Sequence, residues 1–267
     1  STGLTHALGV DLAPSDVWNY GTSLEAGTLE DPRTGAETER RALGASMGFN
    51  DGDLRLSSAV EYRIDNTETL TDPETVLENE RKTWLLKNTL GYQISPDWRL
   101  VGKLNYSDSQ SSQGQFYDGK FTEGVMGYAY RPVNNDRWNT LLKYTYFYNV
   151  PTTDQVLVTT SSTSSANEFV QKSHIFSVDT NYDLTRRWTV GAKYAYRLGQ
   201  LSMERENPEF FDSAASLYVL RADWHFVNKW DLLIEGRLLD LPDAGDRRSG
   251  ALVALYRQMG RNFKAGL

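Results

Sequence analysis

The chain has 267 residues, a formal net charge of −7, 12% aromatic residues and no cysteine, with a mean hydropathy of −0.53. The absence of cysteine excludes disulfide staples, thiolate metal sites and cysteine nucleophiles, and the scattered Lys and Arg lack the basic stripe that nucleic-acid binding needs. No run of about 18 apolar residues occurs, which excludes a membrane-spanning helix but not a membrane-spanning strand, where only alternate residues need be apolar.

Along the chain the dominant period is two, in runs of about ten to thirteen residues, which predicts strands. In order they are predicted over 3–12, 17–28, 38–50, 54–65, 82–94, 98–107, 119–131, 138–149, 169–183, 188–199, 214–226, 230–240, 248–258 and 263–267. From Leu54 to Ile64 one face holds Leu54, Leu56, Val60, Tyr62 and Ile64, broken by Ser58; the other holds Arg55, Ser57, Ala59, Glu61 and Arg63. Trp98, Leu100, Gly102, Leu104 and Tyr106 alternate with Arg99, Val101, Lys103 and Asn105. From Trp188 to Leu198 the set Trp188, Val190, Ala192, Tyr194, Tyr196 and Leu198 alternates with Thr189, Gly191, Lys193, Ala195 and Arg197. A helix would scatter these sets around its circumference, whereas a strand separates them. Soluble strands average about five or six residues; a tilted strand crossing a bilayer needs about nine to eleven, which these runs match.

Short and long connections alternate. The short ones include Ala13–Asp16, Asp51–Asp53, Ser95–Asp97, Val133–Arg137, Thr185–Arg187, Val227–Lys229 and Met259–Asn262, mostly carrying the Asp, Asn, Gly or Pro that tight turns use. Longer loops are predicted at 29–38, 66–80, 107–118, 150–168, 200–213 and 241–248. Barrels with short periplasmic turns and long external loops show this order.

Five tryptophans, Trp18, Trp98, Trp138, Trp188 and Trp230, each open a predicted strand after a short turn. Indole rings settle at membrane–water boundaries, so these five are the expected interfacial girdle, joined by Tyr128 and Tyr130, with Tyr62 and Tyr148 toward the other rim. A charge facing lipid near midplane costs about 2–4 kcal/mol for Lys or Arg. The charged faces are therefore expected to line an interior, with Arg55, Glu61, Arg63, Lys103, Lys143, Lys193, Arg197, Glu235 and Arg237 as candidates; Lys87, Glu123, Asp179, Arg221 and Asp223 belong to the same set. Mixed signs suit cross-strand ion pairs better than a selectivity lining. Arg40–Arg41 is expected at a strand end and Arg186–Arg187 in a turn.

His6, His174 and His225 are far apart, and alternation puts the first two on the apolar side, so no metal site is expected. Gly44-Ala45-Ser46-Met47-Gly48 lies within the strand predicted over 38–50, so it makes no strand-to-helix nucleophile elbow, and there is no phosphate-binding glycine loop. No catalytic residue and no cofactor are expected. Acidic groups at Glu30 and Asp31, at Asp72, Glu74, Glu78 and Glu80, and at Glu204, Glu206 and Glu209 suit solvated loops better than divalent-ion bridging to lipopolysaccharide. The run Thr159–Ser165 is low-complexity.

Two hairpins, Gly127–Tyr144 and Leu184–Tyr194, resemble those in the C-terminal barrels of very large outer-membrane surface proteins of Gram-negative bacteria. The resemblance covers most of the chain from about residue 38. It implies a barrel that anchors a larger chain, with a further closing hairpin. The absence of a signal peptide at Ser1 and the half-strand at 263–267 suit a segment of a longer protein.

The expected fold is an all-β, antiparallel, up-and-down transmembrane barrel with about 14 strands, possessing one domain over 1–267. The expected role is anchor or pore of a larger surface or transport assembly in the bacterial outer membrane, with a self-contained porin-type channel as the alternative. Expected partners are outer-membrane lipid, lipopolysaccharide, and remaining strands, domains or subunits, but not nucleic acid.

Overall fold

In the computed structural model, residues 2–32, 35–72, 75–114, 118–150, 170–203, 208–227, 229–259 and 263–266 are described. They form one fourteen-stranded sheet whose spatial order equals the sequence order, β1 to β14. The strands are β1 Thr2–Leu12, β2 Trp18–Glu30, β3 Glu37–Asp51, β4 Leu54–Asp72, β5 Thr75–Ser95, β6 Trp98–Ser111 and β7 Gly119–Tyr130. They continue as β8 Trp138–Val150, β9 Val170–Thr185, β10 Trp188–Ser202, β11 Phe211–Val227, β12 Trp230–Leu241, β13 Asp246–Met259 and β14 Phe263–Gly266. Each strand pairs antiparallel with the next, an up-and-down meander. Among the described residues β1 pairs only with β2 and β14 only with β13, so the sheet is not closed by a β1–β14 ladder there.

Strand starts after the short turns fall where predicted, while the opposite ends run on. The loop expected over 66–80 is instead ladder: β4 continues to Asp72 and β5 starts at Thr75, with Thr67 opposite Asn79 and Glu68 opposite Glu78. Thr-rich sequence with high β-propensity explains the extension; polarity alone had marked the segment as loop. The loops expected over 107–118, 200–213 and 241–248 shorten in the same way, since β6 reaches Ser111, β10 reaches Ser202, β11 starts at Phe211 and β13 at Asp246. Pro242–Ala244 form one 3-10 turn. Of the loop expected over 150–168, Val150 ends β8; residues 151–168 with Thr159–Ser165, and Glu74, Glu204 and Glu206, lie outside the described residues.

Among the described residues the sheet shows no packed apolar interior. The chain exposes 18357 Å², whereas a compact soluble protein of 30.2 kDa would expose roughly 12,000 Å². Val170 and Ala254 are the buried hydrophobic residues among those described. Leu4, Leu8, Leu24, Met126, Leu220 and Val253 are all more than half exposed. They lie on one face, because directly paired residues project to the same side.

Added Cβ atoms at Gly44 and Gly48, on the charged side, would come within 3.0 Å of Ser23 and Asn19, whereas at Gly236 on the apolar side and at Gly250 on the charged side nothing lies within 4 Å.

Candidate functional site

Two surfaces carry whatever this fold does, an apolar one with aromatic belts and a charged one. The five predicted tryptophans are the first residues of β2, β6, β8, β10 and β12, so all stand at one end of the sheet. Cross-strand pairing brings further rings to them. Trp98 stacks on Tyr128 at 4.6 Å between centroids and lies 4.3 Å from Tyr130, which meets Trp138 edge-on at 5.5 Å. Trp18 packs on Phe49 at 4.7 Å, and Arg257 sits over Trp230 at 5.2 Å. Trp138 donates its indole N–H to Thr180 Oγ1 at 3.1 Å.

The sequence reading missed Trp224, which stacks on Trp188 at 5.0 Å and 11°. It stands near the end of β11, not the start of a strand, so a rule based on turns passed it over. Its register partner Trp188 was the available signal. Trp84 joins Tyr62 at 4.6 Å in a second belt toward the other end.

The belts are eight residues apart on several strands: Trp98 to Tyr106, Trp138 to Tyr146, Trp188 to Tyr196, and Tyr92 back to Trp84. Eight residues span about 26 Å along a strand and about 20 Å along an axis tilted by ~40°. Between them the apolar face is interrupted where Ser58 lies opposite Asn88. Beyond the second belt the same face turns ionic: Arg41 pairs with Glu39 at 2.6 Å and Lys82 with Glu80 at 2.7 Å. His6 and His174 are on this face by register, and Tyr144 Oη hydrogen-bonds His174 Nδ1 at 2.8 Å.

All nine charged candidates share the opposite face. The structure joins most of them in pairs. Arg63 donates to Glu61 at 2.6 Å. Lys103 donates to Glu123 Oε2 at 2.8 Å, and Asn105 donates to the same oxygen at 3.1 Å. Lys193 lies 4.0 Å from Asp179, Arg237 pairs closely with Glu235, and Arg197 donates to Ser213 Oγ at 2.8 Å. Arg55 and Lys143 are exposed and, among the described residues, lack a carboxylate partner. Two further pairs join this face: Arg221 with Asp223 at 2.7 Å, both expected on it, and Arg40 with Asp65 at 2.8 Å, which was not in that set. Arg40 and Arg41 sit near the start of β3, and Arg186 and Arg187 form the β9–β10 turn.

Comparison with protein-family models and with curated protein sequences finds no match. Comparison with solved structures does. The copper transporter OprC matches with a TM-score of 0.58 at 13% identity, covering 98% of this chain and 50% of that one. The strand arrangement is that of outer-membrane β-barrels. The open form of the ferric-catecholate import receptor Fiu from E. coli matches with a TM-score of 0.58 at 9% identity, covering 96% of this chain and 55% of that one. The ferric yersiniabactin uptake receptor FyuA from Yersinia pestis gives 0.50 at 14% identity, covering 97% and 47%. The chain thus spans about half the length of the structures it matches. At such identities the likeness shows the fold.

Proposed function

We propose that this chain is a membrane-embedded β-barrel segment of the bacterial outer membrane, acting as anchor or pore of a larger surface or transport assembly. What carries the reading is the segregation of faces: an apolar face between two aromatic belts, backed by a charged face and no packed core. In this reading the apolar face meets acyl chains and lipopolysaccharide, and Trp18, Trp98, Trp138, Trp188 and Trp230 sit at the periplasmic boundary. Arg55, Glu61, Arg63, Lys103, Lys143, Lys193, Arg197, Glu235 and Arg237 line the interior.

The mechanism proposed is physical, not catalytic. Strand pairing satisfies backbone hydrogen bonds that lipid cannot, at several kcal/mol for each group left bare. The edges of β1 and β14, unjoined among the described residues, then need partner strands; the proposed source is the rest of a longer chain or a partner subunit. The resemblance of Gly127–Tyr144 and Leu184–Tyr194 to hairpins of large surface-protein barrels supports the anchor role, and transport by the matched structures supports the pore.

A self-contained diffusion channel is the second reading, favoured by the fourteen consecutive strands, enough to enclose a lumen if β1 met β14. Planar-bilayer recording of the purified chain separates the two. The assembly reading expects no uniform conductance step from this chain alone; a stable, uniform step overturns it in favour of the channel. Because the chain has no cysteine, cysteine pairs placed between Gly9–Leu12 and Phe263–Gly266 give a second measure. Efficient disulfide formation would mean that the sheet closes on itself.

A further inference from the structure

We propose that the charged face of β4 to β8 is an anion-binding wall, built around Arg55, Arg99 and Lys143 with Lys87 above them. The inference rests on reading that face as the lining of a water-filled interior and holds equally for anchor and channel.

The first observation is how the charges pair off. Glu61, Asp65 and Glu123 are the carboxylates on this face of β4 to β8, and each is in an ion pair: with Arg63, Arg40 and Lys103. Arg55, Lys87, Arg99 and Lys143 are exposed and have no carboxylate partner among the described residues. A chain with a net charge of −7 therefore presents a positive excess on this wall. Asp53 and Asp97 stand in the adjoining short turns, and Asp97 accepts the backbone N–H of Val133 at 2.6 Å.

The second observation is the floor between these cations. Arg55, Gly91, Val101, Gly127 and Lys143 are successive register partners across five strands. The row spans about 19 Å at ~4.8 Å per strand, with a cation at each end and two glycines between. Arg99 belongs to the adjacent row, and its Nη2 lies 3.1 Å from the point where a Gly91 Cβ would be, so its guanidinium is folded over the glycine. The result is a shallow stretch of wall between Arg55 and Lys143, with the Arg99 guanidinium over Gly91 and the small side chain of Val101 against Gly127. An anion there meets planar guanidinium forks suited to carboxylate or phosphate oxygens and need not displace a resident acid. The occupant is thus a small multivalent anion bearing phosphate or carboxylate groups.

The test uses the assembled protein extracted from its membrane in nonionic detergent. Inorganic pyrophosphate is titrated at low ionic strength, where screening is weakest, and binding is followed calorimetrically. Saturable binding in the millimolar range or tighter is expected, weakened at least tenfold by the Arg55→Gln, Arg99→Gln, Lys143→Gln triple substitution. Glu123→Gln, which frees Lys103, should strengthen it. No saturable binding, or unchanged binding in the triple variant, overturns the proposal. Heat-modifiable electrophoretic migration, run on the same samples, reports the barrel separately. A protein that keeps that migration but ignores pyrophosphate refutes the anion wall alone; one that dissolves without detergent refutes the barrel reading first.

Discussion

At the scale of single residues, the alternation along each strand makes neighbouring positions respond oppositely to the same change. Ala192 lies on the apolar face midway between Trp188 and Tyr196, and Lys193 beside it projects to the charged face. Ala192→Arg is expected to destabilise the folded protein in lipid vesicles by about 2–4 kcal/mol, measured by urea unfolding. Trp98 sits against Tyr128 and Tyr130. Trp98→Ala should lose about 1–2 kcal/mol of ring packing in the same assay. The Lys103–Glu123 pair is half open to solvent, with side chains 44% and 25% exposed. Glu123→Gln should change stability by less than about 1 kcal/mol, so these charges matter more for what the wall attracts than for holding it together.

At the scale of elements, the start of each strand after a short turn was legible in the sequence, because Asp51-Gly52-Asp53 and the residues like it break the alternation sharply. The far ends were not. Nothing in Asn66–Glu80 alternates between apolar and polar, so the pattern that marks a half-buried strand is silent there. There β4 and β5 pair by register, and Thr67 and Asn79 hydrogen-bond Thr38 at 3.0 Å and Ser111 at 2.6 Å on the flanking strands. The same reason hid Trp224: its place in the belt follows from which strand lies beside it, a long-range fact. The charged candidates were legible as a face by parity, but which of them would remain without an acid partner depended on cross-strand register. The extended hairpin beyond the ionic rim of Arg41 and Lys82 should be dispensable for folding. Replacing residues 66–80 with an Asn-Gly turn is expected to leave heat-modifiable migration intact and to remove protease cleavage there in whole cells.

At the scale of the whole molecule, one geometrical fact organises the rest: the apolar side chains share one face of the sheet and the charged ones the other. In the proposed reading hydrocarbon covers the apolar face, which takes the place of a packed core among the described residues. The most direct measurement places a nitroxide label at each residue from Trp188 to Leu198 in turn, in lipid vesicles. Collision rates with oxygen, which concentrates in hydrocarbon, are compared with those of a water-soluble nickel chelate. The predicted result is a period of two, with even positions favouring oxygen and odd positions the chelate; loss of that alternation, or its reversal, would contradict the account.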